Sequence, residues 1–510
     1  MRHAALAALT LLGLSPALSI AQIVPSGAHA PGVISTANGL PQVNIQKPSG
    51  AGVSLNTYSQ FDVSRSGAIL NNSSVITSTQ LAGQISGNPN FGANDAAKII
   101  VNQVNSNNPS QLRGYIEVAG KKADVVVANP SGIVVDGGGF INTSRGILTT
   151  GNPLFDANGN LTGFNVTQGN IAVQGDGFTL AAQSDLNLNA GSVESSGVLA
   201  AALDSSGNLT GSGSLKVVSA GSLAATGTNA ATGQVTLYGV SLNLAGSQTS
   251  AGSALALTAT GGNLALTGAT AGAGTIFTAS AAGTLDTSGA QIGSGGNTQL
   301  SGAQITNNGG QVAAGGTLNV QTAGALANQQ GSLQAAGAAS VKAGSVDNTA
   351  GHIVSLDTEG LTLDATGKVL NASSGVIGGN GDVSISAGTL QNAATVSAQG
   401  DATLKAQTLG NDGGTATAGG NLSAQATGAL TNVGGALGAT GTATVSGASI
   451  DNTSGQISAA QVSVATPGNL VNRSGKIVQT GTADQAISAG GTLDDTGGTI
   501  ATNAQDLSVP

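Results

Sequence analysis

Ile450-Asp451-Asn452-Thr453-Ser454-Gly455 is followed, twenty residues on, by Leu470-Val471-Asn472-Arg473-Ser474-Gly475. Both segments place an apolar residue, a variable one, an asparagine and, three residues later, a glycine. Working backwards, an asparagine two residues after Leu, Ile or Val recurs at Asn432, Asn411, Asn392, Asn371, Asn348, Asn328 and Asn307; forwards, the pattern ends on Leu493-Asp494-Asp495. Successive copies lie 19 to 23 residues apart, the range of one coil of a solenoid, and a disordered linker has no reason to keep such a register.

Between these anchors run Thr317-Leu318-Asn319-Val320, Leu361-Thr362-Leu363, Val383-Ser384-Ile385 and Val462-Ser463-Val464, whose alternation reads as strands with one buried face. Leucine-rich repeats share the period but need several leucines per coil, more than each coil offers here. The expected fold is therefore all-β, a parallel β-helix whose coils stack at the strand spacing of roughly 4.8 Å, giving a rod on the order of 110 Å long. An asparagine at the same turn of each coil can hydrogen-bond its neighbours above and below, so the series is read as a ladder and not as a ligand site. Asn371, Asn452 and Asn472 also fall in Asn-x-Ser/Thr triplets, which arise by chance in turns of this composition.

Composition supports an elongated, repetitive chain. Of 510 residues 81 are glycine, 7% are charged and 2% aromatic, with no cysteine or tryptophan. The apolar share of 40% is too high for intrinsic disorder. A net charge of −9 and no basic cluster beyond Lys121-Lys122 exclude nucleic acid as an expected partner. Arg2, the apolar run Ala4 to Leu14 and the small-residue end Ser19-Ile20-Ala21 fit a secretory signal over residues 1–21, cut before Gln22. An exported chain without cysteine is not a small disulfide-stapled scaffold.

Nine of the eleven prolines lie between Pro16 and Pro153, and eight of the ten aromatics precede residue 180, so an information-dense N-terminal region gives way to the repeats. Within it, Gly52 to Val63 alternates as a strand and carries Tyr58 and Phe61, read as an N-terminal cap that protects the open edge of the first coil.

Further segments of this region resemble a known family. They are Leu40-Pro41-Gln42-Val43-Asn44-Ile45, Asn56-Thr57-Tyr58-Ser59-Gln60-Phe61-Asp62-Val63, Gly67-Ala68-Ile69-Leu70-Asn71-Asn72, Asn88-Pro89-Asn90-Phe91, Gln111 to Val118, Ala128-Asn129-Pro130-Ser131-Gly132-Ile133 and Gly139 to Gly146. In this order they resemble the secreted partners of two-partner secretion, which include filamentous haemagglutinins and contact-dependent inhibition proteins. The resemblance implies a secretion domain recognised by an outer-membrane β-barrel transporter in the periplasm, then a right-handed β-helical fibre that adheres to a cell-surface receptor or glycan. It makes Asn88, Pro89, Asn90 and Phe91, with Asn129, Pro130, Ser131, Gly132 and Ile133, the candidate transporter-recognition motifs. Phe91 stands where Leu is usual, Ser131 where Asn is usual, and Val135 and Gly138 where many relatives place a cysteine pair. Asn-Pro also initiates turns, so a purely structural role stays open for both motifs.

Catalytic chemistry is sparsely supplied. Past the signal there are two histidines, His29 and His352, and three glutamates, Glu117, Glu194 and Glu359, so no triad, thiol nucleophile or zinc site is expected. A β-helical polysaccharide lyase or glycosidase is the alternative, disfavoured by scattered aspartates and by Arg473 being the one arginine after Arg145. Gly378-Gly379-Asn380-Gly381-Asp382 approaches a calcium-binding repeat but does not recur, and Gly137-Gly138-Gly139 is read as a turn. The sequence thus reads as signal 1–21, secretion domain 22–260 and repeats 261–510, without enzymatic activity, metal or cofactor. Ending at Pro510 inside a coil, it reads as a truncated form without an effector domain, one that aggregates through its open edge.

Overall fold

A computed structural model describes residues 22–181, 184–203, 211–505 and 507–508, so the expected signal 1–21 lies outside the described residues. Among them every regular element is a strand. The strands build a parallel β-solenoid of about 19 turns. At roughly 4.8 Å per turn that is a rod of about 90 Å, shorter than the 110 Å expected, because part of the N-terminal region forms antiparallel strands and hairpins instead of coils.

One coil shows why the chain adopts this form. Strands Leu318–Thr322, Ala325–Ala327 and Ser332–Ala335 pair in parallel with Ala339–Ala343, Ser345–Asp347 and His352–Ser355 of the next. Along Leu318–Thr322 burial alternates, with Leu318 and Val320 inside and Asn319 and Gln321 outside. Register therefore places Leu318, Ala339, Leu361 and Val383 in one inward column, and the columns merge into a continuous aliphatic core. Such thin coils need little aromatic volume.

Turns between coils are tight. Gly351 is required by close approach: a Cβ there would lie 2.0 Å from the Asn328 carbonyl oxygen one coil back. The residue before it, Ala350, sits in the left-handed region at φ 54°. Gly137-Gly138-Gly139, expected as a turn, instead lies within strand Ile133–Ile141, where Gly137 takes φ +81° at a register break against Asn170–Ala181.

At the N-terminal end, Ile23–Pro25 pairs antiparallel with Val53–Phe61, and Gly32–Ser35 with Pro41–Asn44. Tyr58 and Phe61 point inward, fully buried, with ring centroids 4.9 Å apart and planes at 62°. Two hairpins stand outside the coils, Thr77–Thr79 with Gly83–Ile85 and Asn152–Phe155 with Leu161–Asn165.

Candidate functional site

Asn88 opens a tight loop in which its own side chain does most of the hydrogen bonding. Its Nδ2 donates to the carbonyls of Ile45 and Asn71, both at 2.9 Å, while its Oδ1 accepts the Asn90 N–H at 3.0 Å. The last contact is an Asx turn, the local geometry that Asn-Pro favours. Asn90 reaches back through Nδ2 to the carbonyls of Asn44 and Ile45, and Phe91 packs half-buried on the core. Pro89 and the rest of Asn90 face solvent. The loop closes at Asp95, whose carboxylate accepts the Gly92 N–H and pairs with Lys47, and these contacts hold it below the usual carboxylate range.

Asn129 repeats the device. Buried, it donates to the Asn108 carbonyl at 2.9 Å and to Ser110 Oγ at 3.0 Å, and accepts the Ser131 N–H at 2.9 Å. Ser131 Oγ donates to the Ser106 carbonyl, Gly132 turns the chain at φ +113°, and Ile133 starts a core strand. Pro130 and Ser131 remain half-exposed. In both loops, then, the asparagine side chain is consumed inside the fold, and what faces outward is the proline and its successor. Beside the first loop lie Val75 and Ile76, 66% and 70% exposed, which the sequence pattern did not single out. They follow Ser73, whose carbonyl accepts the Asn88 N–H.

The repeat asparagines form one file. Asn307 Nδ2 donates to Asn328 Oδ1 at 2.8 Å, and the same contact links Asn328, Asn348, Asn371, Asn392, Asn411, Asn432, Asn452 and Asn472 in order, at 2.6 to 2.9 Å. All nine are buried to 1% exposure or less, which removes Asn371, Asn452 and Asn472 from the reach of a glycosylating enzyme in the folded chain. Leu244, Leu266 and Thr287 occupy the same turn of the three preceding coils, so the file begins where an apolar column becomes polar.

Other candidates are placed apart. His29 and His352 are exposed at distant points of the rod. Glu117 is buried, accepting the Gln80 and Leu81 N–H groups and so anchoring the first hairpin. Asp382 accepts the Asp401 N–H, Asp401 the Asn421 N–H and Asn421 the Thr442 N–H, a second, surface file that the calcium-like motif concealed. Burial pushes the Tyr58 hydroxyl well above the usual tyrosine range, and it donates to Asn102 Oδ1 at 2.9 Å.

The TPS secretion domain model matches residues 21–289, and the haemagglutinin repeat model matches five segments between 261 and 509. The tRNA nuclease CdiA-2 of Burkholderia pseudomallei (strain 1026b) is 58% identical over 194 residues, 38% of this chain and 6% of that protein. Toxin CdiA of Yersinia pestis is 53% identical over 168 residues, 33% of this chain and 5% of the relative. The matched stretch thus amounts to only 6% and 5% of the length of these two relatives. The crystal structure of the filamentous hemagglutinin secretion domain aligns at TM-score 0.35 and 23% identity, over 59% of this chain and 95% of that one. With its secretion-domain match running directly into haemagglutinin repeats, the chain belongs to the two-partner secretion exoproteins.

Proposed function

We propose that the chain crosses the periplasm unfolded and is exported by the β-barrel transporter of its two-partner system to the medium or outer surface of a Gram-negative bacterium, where its rod acts as an adhesive shaft. In this reading 22–260 is the secretion domain, 261–510 is the shaft, and the chain itself carries no enzymatic activity. The carrying observation is the unbroken succession from secretion domain to repeats on one stack of coils. Tyr58 and Phe61, behind the antiparallel strands, cap the first coil and keep its edge from pairing with another molecule. Pro89, Asn90, Pro130 and Ser131 are the parts of the two motifs offered to the transporter, with Asn88 and Asn129 holding them in place.

A second reading is favoured by the names of the relatives: the chain is the N-terminal part of a toxin carrier, its shaft displaying an effector that these residues do not include. Expression with and without the cognate transporter tests export: protein in the medium only when the transporter is present supports it, and equal amounts in both cultures refute it. Attachment of bead-bound secreted protein to host and bacterial cells separates an adhesive shaft from a bare carrier.

A further inference from the structure

Hairpin Asn152–Phe155/Leu161–Asn165 lies over the outer face of the coils. Leu161 and Phe164 pack on Val53, Val101, Val126 and Ile147, an apolar patch that the hairpin shields from water. Past the edge of that contact a cleft of about 280 Å³ opens between the hairpin and the coil face. Leu161 and Phe164 form one wall; the floor is Asn187 and Asn189, flanked by the strand of Ile147 and Arg145 on one side and by Lys216, in register with Asn187, on the other.

The floor follows from strand periodicity. In Asp185–Ala190, Leu186 and Leu188 point into the core, so Asn187 and Asn189 must point out. Both are half-buried, and neither carboxamide has a hydrogen-bond partner among the described residues. This contrasts with the file asparagines, each of whose amides is engaged. Arg145 is tethered to Asp124 through Nε and one Nη, at 3.1 and 2.6 Å, which offsets its charge but leaves it further N–H donors. Asp185, in register with Arg145, accepts the Ser214 N–H. Lys216 is exposed and forms no ion pair among the described residues, so its ammonium is the cleft-lining cation left open to a ligand.

An apolar wall beside a few convergent polar groups is the general make-up of a small-ligand cleft, and this one is at the small end of the range. Its groups select further. Carboxamides both donate and accept, matching vicinal hydroxyls; a lysine matches a carboxylate; Phe164 and Leu161 offer a surface to the C–H face of a ring. We infer that this cleft binds a single carboxylated sugar residue, a uronic or sialic acid at an exposed position of a glycan. The inference deepens the adhesive reading, on which it rests for its biological use, and places a glycan contact in the secretion domain instead of on the repeats.

The test uses the whole secreted chain and saturation-transfer NMR with two acidic probes, a hyaluronan tetrasaccharide and sialyllactose, against carboxyl-reduced hyaluronan tetrasaccharide and lactose. At least one acidic probe should bind with an affinity about tenfold or more above its neutral counterpart. Lys216→Gln should weaken that binding by about tenfold, the loss of one charge-assisted hydrogen bond, and Asn187→Ala by several-fold. Lys342→Gln, on the repeats, should leave it unchanged, and all variants should melt with the parent. Binding of neither acidic probe, equal binding of acid and neutral sugar, complete displacement by equimolar inorganic phosphate, or full affinity in both cleft variants would overturn the inference. Cell attachment is read separately. Sugar binding without attachment sinks the adhesive reading alone, and attachment without sugar binding sinks the cleft alone.

Discussion

Asn472 donates through Nδ2 to Asp495 Oδ1 at 2.5 Å, so a file of nine amides ends on a carboxylate. At the other end the Thr287 hydroxyl donates to Asn307 Oδ1 at 2.7 Å. Every link points the same way, from a hydroxyl donor, through groups that both donate and accept, to a pure acceptor. Asp495→Leu should therefore destabilise the last coil by about 1–3 kcal/mol, the cost of a buried donor left unpaired, whereas Asp495→Asn should cost less than about 1 kcal/mol. Guanidinium unfolding of the two variants distinguishes them.

In mid-file the loss is double. Asn411→Ala removes one of the two hydrogen bonds of Asn392 Nδ2, which keeps the Thr415 carbonyl, and leaves Asn432 Oδ1 without its donor, so its expected cost is about 2–4 kcal/mol. Hydrogen exchange of the flanking turns should rise by a matching factor. An unchanged midpoint would show that the file is incidental to stability.

Neighbouring turn positions should respond in opposite directions. Ala350→Gly relieves a left-handed backbone that costs an L-residue about 1–2 kcal/mol, and should raise stability by up to about 1 kcal/mol after the entropy that glycine adds to the unfolded chain. Gly351→Ala drives a methyl into the Asn328 carbonyl and should cost about 2 kcal/mol or more. Thermal melts of both variants check the pair.

Acid should loosen the final coils in a defined window. Hydrogen bonds from Thr496 and then Arg473 lower the Asp494 carboxyl to about 2, below its usual value near 4. Because the folded value is depressed, its contribution is present above about pH 4 and is lost as pH falls through about 2. Arg473→Gln should shrink this acid-dependent loss, seen as a smaller drop in melting temperature between about pH 5 and about pH 2.

Substitutions in the Asn88 loop separate structure from recognition. Asn88→Ala removes a buried side chain with three hydrogen bonds and should both destabilise the loop and lower export. Pro89→Ala, at a solvent-facing position, should leave the melting temperature within about 1 °C. If export also falls for Pro89→Ala, the motif surface meets the transporter; if it does not, the motif only shapes the loop.

The solenoid was legible in the sequence because its coils impose a short, repeated chemical requirement: an aliphatic pair inside, an asparagine at one turn, a glycine where backbones nearly touch. Those demands are local, so they recur visibly at 19 to 23 residues from Asn307 to Asp495. The surface file through Asp382, Asp401 and Asn421 was not legible, since each contact runs from a side chain to a backbone N–H one coil away and leaves no fixed motif.

By itself, then, the sequence determined the period, the parallel stacking and the family, because periodicity and ordered motifs survive without coordinates. Tertiary structure alone decided that Asn88 and Asn129 are spent inside their loops, that Val75 and Ile76 stand exposed beside the first, and that Leu161 and Phe164 meet Asn187 and Lys216 across a cleft. Those relationships join residues that lie up to 55 positions apart, as Leu161 and Lys216 do, and only the stacking of coils brings them together.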